Sequence, residues 1–206
     1  MKHRWLARTG TKNLLLVFGG WALGSAPFEG LLGEDDVLFV EDYRHLDDPL
    51  PNLKQYDRIN LLAFSFGVAS AAHWLEQTGF TPDRLVAASG TLTPADSLTG
   101  ISPDMIRATA DHLTEDSFAK FCRRAGIQAP VPKIDLTAAR EELHAVIGRG
   151  PARERAFDRV WIPQRDRIIP TQAQAVAWQP QASTVRAIPG AHIPFRAGQS
   201  WKDWIA

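Results

Sequence analysis

The chain has a single cysteine, Cys122, among 206 residues. One thiol excludes an internal disulfide framework and fits a reducing compartment. Net charge is missing as well. The 23 basic residues offset 23 acidic ones, so no long-range field selects for nucleic acid or an anionic membrane, and an electrostatic partner must use a local patch. No apolar run approaches the roughly 20 residues that a membrane span requires. Internal repeats and low-complexity stretches are absent too. Near the N-terminus, Lys2, His3 and Arg4 precede an apolar stretch, and Gly24-Ser25-Ala26 loosely imitates a signal-peptide cleavage site. Against a secretory signal, 9–13 is polar, and the apolar run 14–18 is short before Gly19 and Gly20 interrupt it. The expectation is a cytoplasmic protein without nucleic-acid or membrane partners.

What is present is a chain of the usual length of one domain, with the 45% apolar content of a packed core. Short apolar runs at 14–18, 37–40, 59–63, 85–88, 160–162 and 185–188 alternate with amphipathic stretches. That rhythm predicts an α/β fold with a mainly parallel central sheet, because apolar strands without alternation need helices on both faces. Helices are expected at 67–78, 171–178 and 195–205. Between about 93 and 155 the strand rhythm stops, and helices at 105–113, 115–125 and 137–147 read as a small inserted helical cap. The segment 126–132, punctuated by Gly126, Pro130 and Pro132, is expected to separate two cap helices. The organisation is therefore a single domain over 1–206, with a core of about 1–92 and 156–206 and a cap insertion of about 93–155.

The chemistry centres on Leu62-Ala63-Phe64-Ser65-Phe66-Gly67, where an apolar strand runs into Ser65 and then into a small-residue helix. A nucleophile elbow reads G-x-S-x-G, since small residues two positions either side of the serine let the strained turn pack closely. Here Ala63 replaces the first glycine. The motif alone reads equally as a serine capping a helix. A nucleophilic serine needs a base and an acid to orient it, in the chain order Ser, Asp or Glu, His. Asp166 follows the strand at 160–162, and His192 follows the last strand in a tight Pro189-Gly190-Ala191-His192 loop. Taken singly, Asp166 reads as a surface carboxylate paired with Arg165 or Arg167. Three loops in the required order, each after a strand, favour a catalytic triad of Ser65, Asp166 and His192. His3, His45, His73, His112 and His144 read as surface or structural residues. Donors for a developing oxyanion are expected from the backbone N–H groups of Phe66, after the nucleophile, and of Trp21, in the loop after the first apolar run. Simple core packing of the Trp21 indole is compatible with that role. The Gly19-Gly20-Trp21-Ala22-Leu23-Gly24 stretch also imitates a dinucleotide fingerprint, but Trp21 stands where a glycine must admit pyrophosphate.

The chain resembles the short pimeloyl-[acyl-carrier protein] methyl ester esterases of biotin synthesis, the small-lid group of the α/β-hydrolase fold. The similarity lies in Phe18-Gly19-Gly20-Trp21, Asp42-Tyr43-Arg44, Phe64-Ser65-Phe66-Gly67, Ser89-Gly90-Thr91-Leu92-Thr93-Pro94, Lys120-Phe121-Cys122-Arg123-Arg124 and Ala191-His192-Ile193-Pro194-Phe195. Ala63 and Ile193 are mild departures. The resemblance implies hydrolysis of the methyl ester of pimeloyl-[acyl-carrier protein] by Ser65 and His192, with no metal or organic cofactor. A general short-chain carboxylesterase or thioesterase with the same triad stays open, as does a hydrolase-fold binding protein without turnover.

Charge within the cap is segregated. From 96 to 116 there are five acids and only Arg107, whereas from 120 to 155 eight basic residues face four acids. Acyl carrier proteins are acidic, so a stripe including Lys120, Arg123 and Arg124 is expected to steer and hold one. A solvated helix face is the competing reading.

Overall fold

The apolar runs become strands of one sheet. The computed structural model describes residues 1–127 and 130–206. It contains β1 (Lys2–Ala7), β2 (Asn13–Phe18), β3 (Asp36–Glu41), β4 (Arg58–Phe64), β5 (Arg84–Ala88), β6 (Arg159–Pro163) and β7 (Val185–Ile188). The strand order is β1-β3-β2-β4-β5-β6-β7. All neighbours run parallel except β1, which pairs antiparallel with β3 at the edge. β1 was not expected from the sequence. Lys2, His3 and Arg4 lie in this edge strand, and Arg4 pairs with Glu41 across it.

Because side chains alternate along a strand, each strand divides its residues between two apolar clusters. Leu15, Val17, Phe39, Leu62, Phe64 and Val86 face one cluster, and Leu14, Leu16, Phe18, Leu38, Leu61 and Ala63 face the other. Helix α1 (Gly67–Thr78) covers the second face through Val68, Ala71, Trp74 and Leu75. The first is covered by α6 (Trp201–Ile205) and by three helices between β5 and β6, namely α2 (Pro103–Asp111), α3 (Glu115–Ala125) and α4 (Leu136–Arg149). Helix α5 (Thr171–Ala177) follows β6.

The inserted helices carry their own start signals. Pro103 sits in the first turn of α2, Thr114 and Ser117 form a reciprocal capping box on α3, and the Asp135 side chain accepts the N–H groups of Thr137 and Ala138 at the start of α4. Of the separator expected at 126–132, residues 128 and 129 lie outside the described ones.

The helix expected at 195–205 is corrected to α6 alone. Its first half is a loop, because the backbone is drawn into bonds with the segment after Phe28: Leu32 N–H donates to Gln199 O, Trp201 N–H to Leu32 O, and Gly198 N–H to Gly30 O. Those tertiary bonds outweigh the local helical preference of 195–200.

Parallel β2 to β7 bring the loops after β2, β3, β4, β5, β6 and β7 to one edge of the sheet. Ligands of open α/β sheets bind beyond that edge.

Candidate active site

Among the described residues, four non-glycine ones have positive φ, and each lies in a loop beyond the carboxyl end of a strand: Ala22 after β2, Asp42 after β3, Ser65 after β4 and Ser89 after β5. Such conformations cost on the order of 1–2 kcal/mol apiece, and they concentrate where a site over-determines the backbone. Ser65, at φ 57°, turns β4 sharply into α1 while its N–H donates to Ala88 O at 2.9 Å. The turn is wedged between neighbouring strands. A Cβ on Gly67 would stand 2.4 Å from Gly19 O and 2.5 Å from Phe18 O, and one on Gly90 would stand 2.3 Å from Ser65 O. No side chain fits either place. Ala63, by contrast, directs its methyl into the cluster on the α1 face, so the departure from glycine there meets no obstacle.

Asp166 and His192 come together beneath Ser65. His192 Nε2 lies 2.9 Å from Ser65 Oγ, and His192 Nδ1 lies 2.8 Å from Asp166 Oδ2. A carboxylate only accepts hydrogen bonds, so Nδ1 carries the proton and Nε2 is left to accept from the serine hydroxyl. Both the His192 and the Asp166 side chains are fully buried, and the Phe64 ring packs against the imidazole with centroids 5.1 Å apart. The reading of Asp166 as a surface partner of Arg165 or Arg167 is excluded. Its Oδ1 instead accepts the N–H groups of Ile168 and Ile169, at 2.8 and 3.1 Å, and its Oδ2 accepts Gln174 Nε2 at 2.8 Å as well as the imidazole. The histidine loop is tied on two sides: Arg165 N–H donates to Gly190 O, and Ile193 N–H donates to Ala125 O at the end of α3.

Trp21 and Phe66 line one narrow cleft with Ser65. Among the described residues, neither Trp21 N–H nor Phe66 N–H has a protein acceptor. Both residues are buried, and two amides without acceptors on a cleft lined by Ser65 are what an anionic oxygen would fill. The Trp21 indole serves separately, as expected. It packs edge-on to Phe118 and Phe121 of α3, and its Nε1 donates to Ala139 O of α4 at 2.9 Å. The cleft, about 70 Å³, continues along Ile101, Met105, Ile106, Phe121, Leu143 and Ile168. Its walls are mainly apolar, and two arginines, Arg124 and Arg167, complete them. A much larger groove of about 670 Å³, lined in part by 22–27 and 130–135, reaches none of Ser65, Asp166 and His192 and has a mixed charged lining.

Of the basic residues singled out in the cap, Lys120, Arg123 and Arg124 are all exposed on α3, opposite buried Phe118, Phe121 and Cys122. None of the three forms an ion pair among the described residues. Only Arg124 reaches the cleft. The other histidines stand apart from the site, and His73 Nε2 meets Gly150 O.

Sequence reasoning missed Gln174, Arg167 and the part played by Tyr43. Gln174 is fully buried, and its Nε2 also donates to Ile169 O at 2.7 Å. Nothing in the local pattern of α5 distinguishes it. Arg167 was weighed only as a partner for Asp166. Tyr43 was noted within Asp42-Tyr43-Arg44 without a role, yet its hydroxyl donates to Gly19 O at 2.8 Å.

Comparison with known proteins bears on the fold and the family. The chain is 31% identical over 194 residues to a malonyl-[acyl-carrier protein] O-methyltransferase of Bacteroides fragilis (strain 638R), an alignment that covers 88% of this chain but only 39% of that relative. A crystal structure of BioG from Haemophilus influenzae superposes with a TM-score of 0.88 at 26% identity, covering 100% of both chains. A hydrolase-fold protein from Burkholderia ambifaria shares the fold, with a TM-score of 0.57 at 18% identity over 95% of this chain and 89% of its own. The chain thus has the α/β-hydrolase fold. Residues 1–204 match the family described as pimeloyl-ACP methyl esterase BioG, and the chain belongs to that family.

Proposed function

We propose that this protein is a serine esterase that hydrolyses the methyl ester of pimeloyl-[acyl-carrier protein], with Ser65 as nucleophile, His192 as general base and acid, and Asp166 as the group that orients the imidazole. The carrying observation is the continuous Ser65–His192–Asp166 chain of contacts at 2.9 and 2.8 Å, opening on an apolar cleft. Ser65 Oγ attacks the ester carbonyl carbon while His192 Nε2 takes the hydroxyl proton. The carbonyl oxygen becomes an oxyanion held by the N–H groups of Trp21 and Phe66. Collapse breaks the bond to the methoxy oxygen, and His192 returns the proton to it, so methanol leaves. Water then gives its proton to His192 and attacks the acyl-serine. Ser65 departs with that proton, and the freed acid ionises to the pimeloyl carboxylate. Every proton is handled by His192, and the chemistry calls on no metal or organic cofactor.

Support for the acyl group comes from the family and from the cleft, whose apolar walls suit a methylene chain with its ester at Ser65. The carrier reading rests on the exposed cations of α3, which form no ion pair among the described residues. In this reading α2, α3 and α4, within about 93–155, act as a cap on a single domain. An acidic carrier docks on Lys120, Arg123 and Arg124, and the acyl chain enters from the cap side, where Arg124 and Arg167 line the cleft. The reading includes a cytoplasmic location, which suits hydrolysis of a carrier-bound biosynthetic intermediate.

The test compares hydrolysis of pimeloyl-carrier methyl ester with its shorter and longer homologues, for the parent and Ser65→Ala, with growth without biotin as the cellular check. Preference for the pimeloyl ester, lost in Ser65→Ala, is the expected result. Equal rates on all chain lengths and on unrelated small esters would instead indicate a general carboxylesterase. No turnover and no fluorophosphonate adduct on Ser65 would indicate a binding protein.

A further inference from the structure

Glu142 is an acid on the inner face of α4 with only 6% of its surface exposed. Burying a carboxyl is costly unless a partner compensates, and an aliphatic residue would fill the place more cheaply. Its partner is a backbone group outside the helix. Glu142 Oε1 accepts Tyr43 N–H at 3.1 Å, and from the same helix Arg149 Nη2 donates to Tyr43 O. One residue of the loop after β3 is therefore held at both of its main-chain polar groups by α4. Arg44 adds an outer tie, bonding Glu141 Oε2 at 2.6 Å and Asp42 Oδ1 at 2.8 Å.

The Tyr43 side chain carries the connection inward. Its ring stacks on Phe18 with centroids 6.0 Å apart and an interplanar angle of 3°. Its hydroxyl donates to Gly19 O at 2.8 Å and lies 3.1 Å from Val40 O. Gly19 O is also the atom that excludes a Cβ from Gly67, and Gly19 N–H is fixed on Val40 O at 2.9 Å. The peptide that leads into Gly20 and Trp21 is thereby pinned between the serine elbow and Tyr43. The same face of α4 holds Trp21 by a second route, through Trp21 Nε1 and Ala139 O, one helical turn before Glu142.

We propose that Glu142 and Tyr43 are positioning residues which transmit the seating of α4 to the loop bearing the Trp21 N–H, so that this donor is aimed at the reacting carbonyl oxygen only while α4 is docked. The inference rests on the esterase reading above and deepens it by assigning residues to the support of one oxyanion donor. A donor displaced by a fraction of an ångström loses much of its transition-state value while ground-state binding is unaffected.

The experiment measures kcat and KM on p-nitrophenyl butyrate, and inhibition by an alkyl trifluoromethyl ketone, which forms an oxyanion on adding Ser65. The variants are Tyr43→Phe, Glu142→Leu and Glu142→Gln in the full chain. Tyr43→Phe keeps the ring stack and removes only the hydroxyl with its contacts to Gly19 O and Val40 O. It is expected to lower kcat and ketone affinity together by about tenfold with KM within about twofold. Glu142→Leu should behave likewise. Glu142→Gln, whose amide oxygen can still accept Tyr43 N–H, should recover most of the parental kcat. A folded Tyr43→Phe protein with parental kcat and ketone affinity overturns the inference while the parent remains an active esterase, and this holds even if Glu142→Leu fails to fold. A parent that hydrolyses no ester and forms no ketone adduct overturns the esterase reading, and this inference with it.

Discussion

His192 Nε2 lies 2.9 Å from Ser65 Oγ, although 127 positions separate the two residues in the chain. The contact exists because β4 and β7 end at the same edge of a parallel sheet, one in a strained elbow and the other in a loop braced by Gly190 O and Ala125 O. Replacing Ser65 or His192 by alanine is expected to lower turnover by roughly 10⁴ to 10⁶, with little change in melting temperature for Ser65→Ala. Steady-state hydrolysis of a soluble ester and thermal unfolding check this. Near-parental rates in either variant would refute the triad.

Gln174 supplies one of the four donors to Asp166 and also donates to Ile169 O. Gln174→Leu fills similar space but leaves Asp166 Oδ2 with the imidazole alone and Ile169 O without its amide partner. The variant should lose about 1–3 kcal/mol of stability, the cost of unsatisfied buried acceptors. The imidazole should also be less firmly oriented, so kcat should fall about tenfold at unchanged KM. Urea unfolding and steady-state kinetics on the same preparation test both halves. Loss of stability with full kcat would reduce Gln174 to a packing residue.

How far the sequence could be read depended on whether the signal was local. The run at 59–63 followed by Ser65 and Gly67 announces strand, elbow and helix within ten residues, and β4 and α1 follow it closely. Asp166 and His192 were legible because each stands directly after an apolar strand. β1 was not, since Lys2, His3 and Arg4 carry no strand pattern. An edge strand exposed on one side needs no continuous apolar run, and its partner β3 supplies the pairing. Gln174 and Glu142 were invisible for a related reason. Each sits on an unremarkable helical stretch and gains its role from the residue that a distant loop presents to it. The stripe of Lys120, Arg123 and Arg124 was legible as charge, but that Arg124 alone of the three lines the cleft depends on the rotation of α3.

The elbow makes opposite demands on its two small residues. Gly67→Ala would put a methyl 2.4 Å from Gly19 O, a contact that backbone must move to relieve. It is expected to abolish activity and to destabilise by about 3 kcal/mol or more, as overpacking against rigid backbone does. Ala63→Gly restores the commoner motif but removes a buried methyl and loosens a central strand, at a cost of roughly 1 kcal/mol. Its kcat should stay within about twofold of the parent. Thermal unfolding and ester hydrolysis of both proteins decide the matter. An active, stable Gly67→Ala would show that the elbow is not wedged as described.

Burial pushes the Glu142 carboxyl up to about 7, with Asp42 and Glu41 adding to the effect, while Tyr43 N–H and the Arg44 guanidinium oppose it. Glu142 also faces the Arg149 guanidinium on its own helix. The ordinary value is 4.5, so the sign follows. Below that pH the carboxyl is protonated in both states and carries no penalty. As pH rises from 4.5 the unfolded chain ionises while the folded one keeps its proton, and stability falls until about 7. Glutamine does not titrate. The stability of Glu142→Gln relative to the parent should therefore grow across that window and then level off, reaching on the order of 3 kcal/mol at most. Urea midpoints at half-unit pH steps measure it. A difference that is flat with pH, or that shrinks as pH rises, would show that Glu142 is not held protonated by its surroundings.

The proposed carrier-binding role of the stripe is best tested where it is separable from the cleft. Arg124 lines the cleft and would disturb small substrates directly, whereas Lys120 and Arg123 are exposed on α3 outside it. The double change Lys120→Glu and Arg123→Glu reverses charge on that face. It is expected to lower kcat/KM on a carrier-linked methyl ester by roughly tenfold, with a weakened salt dependence, because steering by exposed charges is screened within about 10 Å at 0.1 M salt. Hydrolysis of p-nitrophenyl butyrate should be spared. Arg123 stands in the last turn of α3, where a cation complements the helix dipole. Its reversal therefore carries a stability cost of about 0.3–1 kcal/mol, which a melting curve separates from the kinetic effect. Equal loss on the carrier-linked and the small ester would mean that these residues support the fold of the cap. No loss on either would return them to an ordinary solvated helix face.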